Sequence, residues 1–125
     1  MANVLSMNPV TGLALGRIAI GVGALASPDL ASKLFRLDGA NNPQLPYMTR
    51  MFASREIALG AVTLVAKGAA RRKLVALGIF VDGADAFAGI EATRSGAVSN
   101  SVGVGLTAPA IGAVIAGGIA LATGK

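Results

Sequence analysis

Asp82 and Asp85 lie three residues apart in a mainly apolar stretch, KLVALGIFVDGADAFAGIEA, which also carries Glu91 near its end. On a helix that spacing places both carboxylates on one face. A second apolar stretch, PYMTRMFASREIALGAVTLVA, carries the adjacent residues Arg55 and Glu56. On a helix these point about 100° apart and need not serve the same partner. A third stretch, PVTGLALGRIAIGVGALASP, holds one charge, Arg17. Such a set permits three kinds of chemistry. It can be an ion-pair network that fixes helix register, or a protonatable site on a transport path. Two close carboxylates can also work as acid and base. No residue identifies a bond to be broken, so an enzyme is the least favoured reading and no catalytic residue is assigned. The chain has no Cys and no His. That removes a structural zinc site, a thiol nucleophile, a disulfide, an axial haem histidine and a histidine base. Neither a metal site nor a cofactor is expected.

The elements that must position these charges follow from where the apolar residues fall. Of 125 residues 54% are hydrophobic and 14% are charged, against about 25% charged in an ordinary soluble domain. The mean hydropathy is +0.67. The apolar residues occur in four blocks, about 9–28, 46–66, 73–92 and 101–123, and the last carries no charge. A helix needs about 20 apolar residues to cross the hydrocarbon core. The blocks predict an all-α fold, an integral membrane four-helix bundle forming one domain over 1–125. A soluble helical bundle is the alternative, and the uncharged fourth block argues against it. The first block has no basic segment before it, so it reads as a retained helix and not a cleaved signal.

Depth brings the charges together. At about 1.5 Å per residue, Arg17, Arg55, Glu56, Asp82 and Asp85 all fall about 11–17 Å below one surface. Two positive charges against three negative ones leave −1. Arg55 is expected to meet Asp85 or Asp82, with Arg17 nearby.

The segment Lys67-Gly68-Ala69-Ala70-Arg71-Arg72-Lys73 reads as a short connection. Lys67, Arg71, Arg72 and Lys73 mark it as cytoplasmic and could attract anionic lipid head groups. Four spans then place both termini in the cytoplasm, with Lys125 in agreement. The basic residues lack interleaved aromatics, which argues against nucleic acid as a partner. The first, extracellular connection opens with Ser27-Pro28-Asp29, a helix start. Leu30, Leu34 and Leu37 then predict a short amphipathic helix lying in the membrane interface, stopped by Gly39. Tyr47 suits the same interface, and Phe52, Phe80 and Phe87 are core or lipid-facing bulk.

Small residues four apart let helix backbones approach closely. Gly12-xxx-Gly16 is one such pair. The fourth block offers Gly112, Ala113, Ala116, Gly117 and Ala120, either for contacts within the bundle or as the face of a homo-oligomer or larger complex. Pro109 should kink that helix.

The segment Thr49-Arg50-Met51-Phe52-Ala53-Ser54-Arg55-Glu56-Ile57-Ala58-Leu59-Gly60 resembles a pattern in the second helix of small bacterial DoxX-like membrane proteins, Arg-xx-Gly-xx-Arg-(Glu)-xx-Leu-Gly. Arg55, Leu59 and Gly60 match, while Ala53 or Ser54 stands where a glycine is common. An early Arg, a polar first connection and acidic residues in the third helix extend the likeness over most of the chain. It implies a multi-pass protein of the bacterial inner membrane, an accessory subunit of a membrane complex. Such a subunit could hold a lipid or quinone-like molecule between its helices. The alternative is a small proton- or ion-linked transporter or channel using the intramembrane carboxylates.

Overall fold

The computed structural model describes residues 8–124. Among them the chain is all-helical: α1 (Pro9–Ala26), α2 (Pro28–Leu34), α3 (Leu45–Val65), α4 (Gly68–Arg94) and α5 (Asn100–Thr123). Lys125 lies outside the described residues.

Local chemistry sets the helix ends. Asn8 accepts a hydrogen bond from the Val10 N–H at 2.9 Å and Pro9 occupies the first helical position, where its missing N–H has no partner to lose. Ser99 caps α5 by accepting from Val102 at 3.3 Å. Gly124 closes α5 in the left-handed conformation that glycine adopts without a Cβ clash. Pro109 lies inside α5 without ending it.

Two boundaries and one cap differ from the sequence expectation. α4 begins at Gly68, not Lys73, so only Ala66 and Lys67 form the connection. Gly68 makes the turn at φ 61°, and the Ala, Arg and Lys that follow favour helix. Arg71, Arg72 and Lys73 therefore sit on the first turns of α4. In α2, Ser27 stands at the cap position but its hydroxyl makes no capping bond. α2 also stops before Leu37: Phe35 caps it and Arg36 takes a left-handed φ of 60°, so the stop does not come from Gly39. The helix buries Pro28 and Ser32 and leaves Leu30 and Leu34 exposed.

α1 and α3 form one closely interlocked antiparallel pair and α4 and α5 another, while helices of different pairs meet only loosely. Glycines let the pairs close. A Cβ at Gly60 would stand 2.7 Å from the Ala14 carbonyl oxygen, and one at Gly21 would stand 2.8 Å from that of Ala53. In the other hairpin Gly117 seats Ile79, Gly89 seats Thr107 and Gly103 seats Thr93.

The hairpins join at the end where Val10, Val75 and Ala120 are buried together with Ile79 and Leu121 against them. There Arg71 donates to Asn8 at 3.2 Å and Thr11 at 3.3 Å, and both terminal nitrogens of Arg72 donate to the Leu121 carbonyl at 3.3 Å. At the opposite end Arg36 donates to Ser101 at 3.2 Å.

Beside a small apolar core, charge is buried and apolar bulk is exposed. Arg17, Glu56, Thr63 and Asp82 are buried, whereas Val65, Phe80, Phe87, Val104, Ile115 and Ile119 are exposed. Two helices, α1 and α5, are long and apolar enough to cross a membrane.

Candidate functional site

Each long helix buries one stripe at helical spacing, and the charges ride on those stripes. α1 buries Val10, Ala14, Arg17, Gly21 and Ala24. α3 buries Ala53, Glu56, Leu59, Gly60 and Thr63. α4 buries Val75, Gly78, Asp82, Ala86 and Gly89. The same periodicity that turns the small residues inward therefore turns Arg17, Glu56 and Asp82 inward.

Arg17 crosses between the hairpins. Its Nη1 donates to Glu56 Oε2 at 2.8 Å and to Asp82 Oδ1 at 3.0 Å, and its Nη2 donates to Asp82 Oδ2. The three residues are 7%, 5% and 3% exposed. Gly78 makes room for the guanidinium, since a Cβ there would lie 3.0 Å from Arg17 Nη2.

Arg55 donates to Asp85 Oδ2 at 2.7 Å and lies 3.7 Å from Glu56 Oε1. Its guanidinium sits 5.3 Å from the centre of the Phe52 ring, within cation–π range. This second pair is more open, with side chains 42% and 30% exposed. All five residues singled out from the sequence are thus in one network. Arg55 takes Asp85, and Arg17 takes Asp82 together with Glu56.

Carboxylate oxygens of Glu56, Asp82 and Asp85 lie within 4.8 Å of one another. A divalent cation binds through carboxylate oxygens of this kind. Here guanidinium groups already take part of that set, Arg17 both oxygens of Asp82 and Arg55 one oxygen of Asp85.

Arg17, Glu56, Asp82 and Asp85 form the floor of a cleft of about 650 Å³ between the two hairpins. Below it, between Arg17 and the joined end, the space shrinks to about 10 Å³, about one water. Above it, the walls are almost wholly apolar and come from all five helices, with Ile20, Phe35, Met48, Phe52 and Leu106 among them. The volume is in the range of small-molecule sites, which are apolar with a few convergent polar groups.

A molecule held between the helices is an expectation of the sequence, but the position and walls of the cleft are not. Its only sequence signal is the run of small residues on α1 and α5, which reads equally well as a close-contact motif. Gly12 and Gly16 line the cleft, and a Cβ at Gly16 would meet nothing within 4 Å. The small residues of the fourth block divide. Gly117 and Ala120 are buried within the chain. Gly112, Ala113 and Ala116 line the cleft wall. Of the basic residues assigned to topology, Arg71 and Arg72 also tie the start of α4 to α1 and α5. Comparison with family models, curated proteins and solved structures finds no match to this chain.

Proposed function

We propose that this chain is a multi-pass membrane protein, with α1, α3, α4 and α5 as its spans, that holds an amphipathic small molecule between its two hairpins. The observation that carries this reading is the 650 Å³ apolar cleft with the ion-pair network as its floor. An apolar body would occupy the walls and a polar head would reach the charges. The lipid or quinone-like molecule expected from the sequence belongs to this class.

The buried charges and the exposed apolar bulk support the membrane part of the reading. In lipid, buried charges face one another in the bundle interior and large apolar side chains face outward. On α3 and α4 the charges at depth lie in the network or beside it, which lets helices of lower hydropathy span. The exposed apolar side of α5, with Val104, Ile115 and Ile119, would face lipid or a partner subunit. This suits an accessory role of the kind that the DoxX-like resemblance implies. The basic start of α4 would face the cytoplasm.

A chain with no Cys suits single-cysteine mapping. Cysteines at Asn42 and Ser99 should label from outside intact cells, and a cysteine at Lys67 only after permeabilisation. Mass spectrometry of the chain purified in mild detergent should find a retained amphiphile. Gly16→Phe, which fills open space in the cleft wall, should lose it with helix content unchanged. A wild-type chain that holds nothing and takes up no apolar probe would sink the reading.

One observation favours a second reading. Asp85 is part-exposed to the cleft, as a carboxylate on a transport path must be. Asp85→Asn should then abolish proton-linked uptake into vesicles, and uptake that persists unchanged rules this out.

A further inference from the structure

We propose that the head group the cleft takes is a positive charge: the ligand is a lipophilic cation, an apolar body bearing one ammonium-like or phosphonium-like centre. This inference rests on the binding reading above and names its ligand class.

The first argument is the charge balance of the wall. Arg17, Glu56, Asp82 and Asp85 line the cleft, and Arg55 pairs with Asp85 from beside it. Three carboxylates against these two guanidiniums leave the ionised network one negative charge in excess, on the cleft side. An uncompensated charge in such surroundings is strongly unfavourable. An anionic ligand would add to the excess and a neutral one would leave it in place.

The second argument is which oxygens are spoken for. Arg17 occupies both oxygens of Asp82 and Oε2 of Glu56, and Arg55 occupies Oδ2 of Asp85. Among the described residues no donor within hydrogen-bond distance reaches Asp85 Oδ1, and Arg55 stands 3.7 Å from Glu56 Oε1. The unmet capacity is therefore acceptor capacity, on the two carboxylates nearest Arg55.

The third argument is shape. A bare metal ion would use a small part of 650 Å³ and leave the apolar walls without an occupant. A cation with an apolar body uses both. Phe52, which lines the cleft and already carries Arg55 over its ring, offers a π-face of the kind that attracts organic cations.

The test uses the full chain in mild detergent, with tetraphenylphosphonium as the cation and triphenylphosphine oxide as a neutral molecule of similar bulk. Binding is read by calorimetry against empty micelles. The cation should bind at least tenfold more tightly than the oxide. Asp85→Asn, which removes the excess charge, should erase that preference. Arg55→Met, which raises the excess to two, should strengthen cation binding. A network with only a structural role would weaken in both variants, so the opposite directions keep the test decisive even if one variant folds poorly. Equal binding of the two probes, or preference for the oxide, overturns the cation and leaves the cleft reading standing. Binding of neither overturns both.

Discussion

Arg17 and Asp82 form a two-point ion pair across the seam between the hairpins, on side chains 8% and 5% exposed. The pair joins α1 to α4, helices of different hairpins, at the level where the chain passes from closed to open. Glu56 takes the same guanidinium from α3. One cation thus holds three helices in rotation and in axial position.

Removing one member of that set should be severe. Arg17→Met leaves two carboxylates buried without their counter-charge, and the expected loss is about 3–5 kcal/mol. Arg17→Met with Asp82→Leu should recover part of it, since one of the two stranded charges is gone and only Glu56 is left. Unfolding of both variants in detergent measures the coupling. If the double variant is as unstable as the sum of the singles, the pair is not a unit.

Glycine positions should separate into two groups. Gly60→Ala places a Cβ 2.7 Å from the Ala14 carbonyl oxygen, which backbone cannot easily yield, and should cost about 1–3 kcal/mol. Gly16→Ala meets open space and should stabilise by up to about 1 kcal/mol, the helix preference of Ala over Gly. Thermal melting of the two variants beside the parent checks both signs.

Arg36 holds a left-handed φ of 60° and donates to Ser101. Arg36→Gly loses the hydrogen bond but relieves the backbone, whereas Arg36→Ala loses the hydrogen bond and keeps the conformation. Glycine should therefore be the more stable variant, by about 1 kcal/mol. Parallel denaturation curves decide, and a more stable alanine variant would mean that Arg36 carries no backbone strain.

The turn after Arg36 should loosen in acid. The Asn41 side-chain amide, and next its backbone N–H, hold the Asp38 carboxyl below its ordinary pKa. A depressed folded value means that the contribution is complete above the unfolded pKa and is lost as pH falls through the folded one. Asp38 is fully exposed, so the effect is local. The Asn41 amide resonance should titrate in that acid window, and Asp38→Ala should flatten it.

Much of this arrangement is legible in the chain itself. The four apolar blocks set the long helices to within a few residues, because burial is periodic along the chain. The level of the five charges follows from rise per residue alone, and Arg55 with Asp85 was within reach of that count. The start of α4 was misjudged because a run of basic residues signals polarity and says nothing against helix. The stop of α2 was misjudged because a left-handed residue that is not glycine leaves no mark in the sequence.

Only the tertiary structure decided which helices embrace and which stand apart. A glycine permits close approach but does not name its partner. Gly60 and Gly117 close hairpins, while Gly16, in the same kind of sequence, faces open space. Periodicity places Arg17, Glu56 and Asp82 on inward faces. Whether Arg17 finds Glu56, Asp82 or both depends on the separation and rotation of three helices, quantities set by side chains interlocking across the whole bundle. The cleft is the outcome of that geometry: two hairpins, each tight within itself, joined at one end and held open above a salt-bridged floor.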